Sequence, residues 1–342
     1  MTNDKVSSVS GGKWKEGGYI EHFNVKTVEE AVFMLNRHRE DAKIIAGGVD
    51  VVGLMKNEVS MPKVLVNIKN ITDLAHITEN GDGLRIGTLT TIKDIEISAL
   101  INAKYKILAE AAHSVASPSI RNMATIGGNL CQEVRCWYYR RSPITGICFF
   151  CRRKGGKRCY AVSGGNKYHA VIGGRECHAV CPSDMAPALV ALGAMLKIAG
   201  PRGDRVAALE EFYTTLGNVL KPGEIITEIQ VPALKPGTVQ QWLKFRLRKT
   251  IDFALSSVAA VISTNGSVVS NARIILGGIA TVPYRAIGAE EIIKGKQITD
   301  REAATAAKAA LSTASPLSMN AYKIPITESL VRRAIVAGMA SG

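Results

Sequence analysis

TIGGNLCQEVRCWYYR, residues 125–140, sets two chemistries side by side: a glycine pair with an asparagine, then two cysteines and three aromatics. Gly127 and Gly128 free the backbone to adopt positive φ and remove the Cβ atoms that would keep a ligand away. The same logic occurs earlier, in IIAGGVD (44–50). Each reads as an apolar strand ending in Gly-Gly, with a small polar or acidic residue soon after. Successive backbone N–H groups in such a turn can face one concave site, which suits a pyrophosphate. Neither stretch is GxGxxG or GxxxxGK[ST], so neither a Rossmann fold nor a P-loop is supported.

Outward from these turns, the chain runs to 342 residues, enough for two or three domains. It is 46% hydrophobic and 21% charged, ordinary values for a soluble globular protein. Formal net charge is +14, which raises the question of nucleic acid. The charge is concentrated, however. Between Cys131 and Cys181 ten Lys or Arg face only Glu133 and Glu176, a net +8, and all seven cysteines lie there too. Basic character and cysteines need one joint explanation. No apolar signal-peptide run follows the start, and the most apolar stretch, MAPALVALGAMLKIAG (185–200), is too short to span a bilayer. The cytoplasm is therefore the expected location, with no membrane span.

Residues 1–18 are polar and glycine-rich and read as a loose tail. TVEEAVFMLNRH (27–38) opens with a capping box and continues as an amphipathic helix. KIIAGGVDVVGLMK (43–56) reads as strand, turn and helix start; KVLVNIKNI (63–71) as a strand; GLRIGTLTTIKDIEIS (83–98) as strand, turn and helix. A helix around 105–117 is closed by Pro118, LEEFYTT (209–215) is a short helix, and EIITEIQVP (224–232) is a strand. From 240 the pattern changes to strands, with a hairpin at Asn265-Gly266 and two terminal helices at 301–314 and 326–340. The division expected is a body over 19–235, carrying a cysteine-rich insert at 131–181, and a smaller α+β domain over 236–342.

AGGVDVVGLMK, TIGGNL about eighty residues on, then PSDMAPALVALGA resemble the FAD-binding medium subunit of molybdenum hydroxylases, the xanthine dehydrogenase and carbon monoxide dehydrogenase family. The resemblance runs from about residue 20 to the end. It implies an α+β fold: a two-subdomain FAD-binding domain of the vanillyl-alcohol-oxidase-like (PCMH) type, followed by the C-terminal α+β domain. It also implies that Ile45, Ala46, Gly47, Gly48, Val49 and Asp50 form one side of an FAD clasp, mostly through backbone. Thr125, Gly128 and Asn129 form the other side. Asp184 matches an acid on the cofactor's polar chain, Phe253 an aromatic near the isoalloxazine, and Lys244 a residue near the flavin. The family's AGGTD or AGGHS becomes AGGVD here, so Val49 replaces a polar side chain.

On residue types alone, the cysteines fit iron–sulfur or a zinc knuckle, the latter from Cys148-x2-Cys151 and Cys177-x3-Cys181 with His169 and His178 as spares. Family members without the insert run from TIGGN fairly directly into the SD motif. RCWYYR, CRRKGGKRC and ECHAVCPSD are similar to the insert of the 4-hydroxybenzoyl-CoA reductase type, which holds an extra [4Fe–4S] cluster. That similarity implies Cys136, Cys151, Cys159 and Cys177 as ligands, with Cys148 and Cys181 as alternatives to Cys151 and Cys177. Surrounding cations suit the net negative cluster. Cys131 reads as structural, and Trp137-Tyr138-Tyr139 as packing the insert against the body. The resemblance further implies a molybdopterin-binding large subunit and a small subunit with [2Fe–2S] clusters, in a dimer of heterotrimers. NAD(P) or ferredoxin is the implied electron carrier. A basic zinc-knuckle nucleic-acid binder explains the cysteines and charge but not the two glycine turns. A stand-alone FAD oxidoreductase, of the kind to which UDP-N-acetylmuramate reductase belongs, lacks a substrate-side catalytic constellation here.

Overall fold

The computed structural model describes residues 4–6, 20–142 and 148–337. The first subdomain is a sheet in the order Asp4–Val6, Ile20–Asn24, Val64–Asn67, Ala42–Ile45, with the last three strands parallel. The helix Val28–His38 buries Ala31, Met34 and Leu35 against Val64 and Val66 of that sheet. Thr27 caps it by accepting from Glu30 N, while the Glu30 carboxylate accepts from Lys26 N, one residue ahead of the cap. Of the segment expected to be a loose tail, Asp4–Val6 pairs antiparallel with Ile20–Asn24, and the remainder lies outside the described residues.

The second subdomain is an antiparallel sheet ordered Ile77–Asn80, Gly83–Gly87, Ile225–Pro232, Met195–Ala199, Arg205–Ala208. Ile229 sits at its centre, opposite Ile86 on one side and Leu196 on the other. Helices Ile92–Ile97, Lys106–Ser114 and Met185–Ala191 share one core with this sheet.

The third unit is the antiparallel sheet Thr238–Phe245, Ser256–Asn265, Val268–Gly277, Tyr284–Arg285. Helices Ile287–Ile293, Asp300–Ala309 and Lys323–Ala337 form one core with it. Its other face joins the core of the second subdomain through Trp242, Ala259, Val261 and Ile275. Trp242 Nε1 donates to Ser114 Oγ across that junction, at 3.2 Å.

Four local readings change. ATIGGNL is not a strand and turn: Thr125 caps a helix, Ile126–Cys131, and both glycines fall in its first turn. The cause is tertiary, because Ile126 is fully buried and its N–H donates to Thr90 O. Pro118 does not simply close a helix; it opens the next one, Pro118–Met123, where its missing N–H costs nothing. In LEEFYTT only Leu209–Glu211 is helical, as a single 3₁₀ turn, and Tyr213–Thr214 is strand. The C-terminal hairpin pairs Asn265 with Val268, so its turn residues are Gly266 and Ser267, with Gly266 at φ +58°.

The cysteine insert is sewn into the third unit. Val171 and Ile172 N–H groups donate to Ile279 O, Cys181 N–H to Ala280 O, and Ser315 N–H to Val171 O. Fully buried Asn320 donates to His169 O and Ala170 O, and fully buried Asn166 accepts from Met319 N.

Candidate functional site: two glycine segments and a cysteine-rich wall

The two glycine segments meet at the edge of the first subdomain. A Cβ on Gly47 would lie 1.8 Å from Met123 O, so only glycine lets the first loop press against the chain entering the second. Gly48 is at φ +72°, the left-handed region. Among the described residues, none of the N–H groups of Ala46, Gly47, Gly48, Val49 and Asp50 has a protein acceptor. This run of donors in a glycine turn is the kind of cradle that an anionic group fills. The second segment differs. Ile126 N–H donates to Thr90 O, Gly127 N–H to Thr88 O, and Gly128 N–H to Thr125 Oγ1. A Cβ on Gly127 would lie 1.8 Å from Thr88 Oγ1, so this segment offers close approach rather than spare donors. Asn129 is buried and accepts from Ser183 Oγ at 2.6 Å, which ties TIGGN to the SD motif.

Asp50 ends the first loop, and the insert grips it. Its carboxylate accepts from Arg135 Nη1 at 2.5 Å, Arg140 Nη2 at 2.7 Å and Glu133 N at 2.8 Å. Burial works to raise the pKa of Asp50, but the two guanidiniums outweigh it and hold the carboxyl below its ordinary value. The Arg135 guanidinium also lies 5.0 Å from the centroid of the Phe253 ring. Asp184, next to Ser183, is buried against Lys244 at 2.6 Å, and Lys244 donates a second hydrogen bond to Ser114 O. Burial pushes the Asp184 carboxyl up while Lys244 pulls it back, and the net direction is up. Arg135, Ser183, Asp184, Phe253 and Ser257 line one narrow cavity between the insert, the SD motif and the third unit. The resemblance put Asp184 on the cofactor's polar chain, Phe253 near the isoalloxazine and Lys244 near the flavin; here Asp184 and Phe253 share one cavity and Lys244 pairs with Asp184. It missed Arg135 and Arg140, whose only signal was the basic character of the insert, and Ser257, which carried no signal in the sequence.

The cysteines form a second centre behind this wall. CRRKGGKRC is a tight turn in which Cys151 bridges Arg158, with Gly155 at φ +80°. A Cβ on Gly156 would lie 1.9 Å from Phe150 O. Cys151 and Cys159 therefore stand at the base of one turn. Cys136 packs with Cys177 and Ala179 in a small apolar cluster. Burial, then the neighbouring thiols of Cys177 and Cys159, push the Cys136 thiol up to about 11, against backbone N–H groups of Tyr138 and Tyr139. Arg153 Nε and Ala179 N both approach Cys177 Sγ at 3.4 Å. Buried His169 places Nε2 3.2 Å from Cys136 Sγ, and burial lowers its pKa to about 4, so it is neutral at pH 7. Cys181 stands apart, near Tyr213 and Asp184, its thiol pushed by burial to about 12. Cys131 and Cys148 are exposed. Among the described residues, no three His, Cys, Asp or Glu side chains converge to hold a single metal ion, and the zinc-knuckle set is not gathered. Trp137 and Tyr138 pack edge-on and tilted against His169, so their ring contacts lie within the insert rather than between it and the body.

Two family models match the chain end to end: the FAD binding domain in molybdopterin dehydrogenase over residues 18–234, and the CO dehydrogenase flavoprotein C-terminal domain over residues 242–337. The carbon monoxide dehydrogenase medium chain of Hydrogenophaga pseudoflava is 30% identical, over 94% of this chain and 97% of its own. The aldehyde oxidoreductase FAD-binding subunit PaoB of Escherichia coli is 33% identical over 80% of this chain and 86% of its own. Among solved structures, CO dehydrogenase from Oligotropha carboxidovorans superposes with a TM-score of 0.77 at 25% identity, covering 94% of this chain and 98% of that one.

Proposed function

The chain belongs to the FAD-binding medium subunits of the molybdenum hydroxylase family, and from that premise we propose that it is the electron-transfer subunit of a multisubunit molybdenum (or tungsten) hydroxylase or reductase. Its partners are a molybdopterin-binding large subunit and a small [2Fe–2S] subunit, in a dimer of heterotrimers. It passes electrons between their clusters and NAD(P) or a ferredoxin. Residues 19–235 hold FAD, and 236–342 complete the site from the far side. The observation that carries the reading is the unpaired run of N–H groups from Ala46 to Asp50, locked in place by the contact of Gly47 with Met123.

FAD, when bound, supplies exchange of electrons both in pairs and singly, which a link between a two-electron substrate and one-electron clusters requires. The protein's own residues do the rest. The loop Ile45–Asp50 receives the pyrophosphate through backbone N–H groups, so the loss of a polar side chain at Val49 leaves the main contact intact. Thr125, Gly128 and Asn129 form the opposing wall, with Asn129 fixed by Ser183. Asp184, made rigid by Lys244, receives the cofactor's hydroxyl chain, and Phe253 faces its ring system. Gly47 and Gly127 exclude bulk from the wall itself.

We further propose that the insert carries a [4Fe–4S] cluster on Cys136, Cys151, Cys159 and Cys177. Support comes from the shared neighbourhood of Cys136, Cys159 and Cys177 and from the turn that brings Cys151 beside Cys159. A cubane attaches its thiolates to the outer corners of four iron atoms, so its ligands stand further apart than those of one ion. Arg153 and the Ala179 N–H are already aimed at Cys177 Sγ, the kind of partner that stabilises a negative cluster. Anaerobic purification with counts of flavin, iron, sulfide and zinc per chain tests both proposals. About one FAD with about four iron and four sulfide supports both. FAD with zinc and no sulfide sinks the cluster alone, and absence of flavin sinks the first proposal.

A further inference from the structure

Among the described residues, three buried side-chain polar atoms have no hydrogen-bond partner: Arg135 Nε, His169 Nδ1 and Ser257 Oγ. Two of them, Arg135 Nε and Ser257 Oγ, belong to residues lining the same cavity, the one that also holds Asp184 and Phe253. A buried donor left unpaired is costly, and two on residues that line one cavity point to a ligand that satisfies both. Arg135 comes from the insert and Ser257 from the third unit, so the pair spans the junction the cofactor is read to occupy.

The orientation of Arg135 is fixed on every other side. Nη1 is held by Asp50 at 2.5 Å, Nη2 by Gln132 Oε1 at 2.8 Å, and Phe253 stacks within 5.0 Å of the guanidinium. Of the three guanidinium nitrogens Nε alone has no partner, and it can only donate. Its ligand must therefore present an acceptor. Ser257 Oγ donates or accepts, so it fits the same edge. The polar edge of a flavin ring, with its carbonyl oxygens and ring nitrogens, meets this requirement; the dimethyl edge does not. Asp50 does not cancel the charge, because one carboxylate is shared by two guanidiniums. A net cation remains beside the ring, in a site of reduced dielectric, where it favours the more electron-rich reduced flavin.

We propose that Arg135 Nε and Ser257 Oγ are direct hydrogen-bond contacts to the polar edge of the flavin ring, and that Arg135 raises the potential of the bound flavin. The inference rests on the FAD reading above. It makes the insert part of the flavin site rather than a module beside it.

The test uses the full-length chain and its Arg135→Gln, Arg135→Lys and Ser257→Ala variants. FAD affinity is measured by fluorescence titration, the two-electron midpoint by dye-linked reduction, and iron per chain is counted in each. Arg135→Gln is expected to loosen FAD about tenfold. Its midpoint should fall by about 30 mV, which is a tenfold shift for a two-electron couple. Arg135→Lys keeps the charge and should recover most of the midpoint but not the affinity. Ser257→Ala, outside the insert, should loosen FAD about threefold with iron unchanged. An unchanged midpoint in Arg135→Gln overturns the proposal, even if affinity falls. If that variant does not fold, an unchanged affinity in Ser257→Ala overturns it instead. A wild-type chain that binds no FAD removes the underlying reading, a result distinct from either.

Discussion

At the level of single residues, the site depends on a few positions with no tolerance. Gly47→Ala puts a methyl 1.8 Å from a carbonyl oxygen. Relieving it must move two backbones, so the cost should reach or exceed the upper end of the about 1–3 kcal/mol of overpacking. FAD affinity should fall with it, read by thermal unfolding and flavin titration. Lys244→Met leaves Asp184 buried without its partner and should cost about 3–5 kcal/mol, measured by chemical denaturation. Lys323 is 1% exposed and donates to Gly278 O and Tyr168 O, and burial lowers its pKa to about 7. The unfolded chain therefore binds more protons than the native one between that value and the ordinary lysine range. Stability should rise as pH goes from about 7 to 9, above which the raised cysteine thiols act in the opposite sense. Lys323→Met should flatten that slope in urea melts taken across the range. Gly48 was legible in the sequence because a positive φ is a local demand, whereas the contacts that require glycine at 47 and 127, with Met123 and Thr88, were not. Arg135, Ser257 and Lys323 were not, because their roles come from partners more than 40 residues away, or from a cavity the chain closes only in three dimensions.

Periodicity identified most of the elements. The strand Ile225–Pro232 alternates buried and more exposed residues from Thr227 on, and Val28–His38 carries its apolar face at helical spacing. The misreading of TIGGNL shows where periodicity stops. Two glycines argue against a helix, but a threonine cap and a fully buried isoleucine override them. Thr125→Ala should cost about 1 kcal/mol by equilibrium unfolding, and should loosen FAD because the wall around Asn129 loses its anchor. The insert had no regular period to read, and hydrogen bonds to residues 279–280 and 315–323 hold it instead.

Over the whole molecule, the third unit is no appendage. It supplies Trp242, Ala259, Val261 and Ile275 to the core of the second subdomain, Phe253 and Ser257 to the cavity, and Lys244 to hold Asp184 at the cavity wall. A chain ended at residue 235 is therefore expected to aggregate and to bind no FAD, as gel filtration and absorbance would show. The stitching of the insert also has a consequence for how the protein is made. Asn166 and His169 leave the ribosome some 150 residues before the partners that receive them, Met319 and Asn320. At about 5–20 residues per second, that interval lasts roughly 7–30 s. The cavity residues Phe253 and Ser257 and the insert's partners Ile279 and Ala280 emerge earlier within it, but the clamp from Met319 and Asn320 is missing until its end. The nascent chain thus has a window in which flavin, and the proposed cluster, would be loaded, closing when the last helix folds onto the insert.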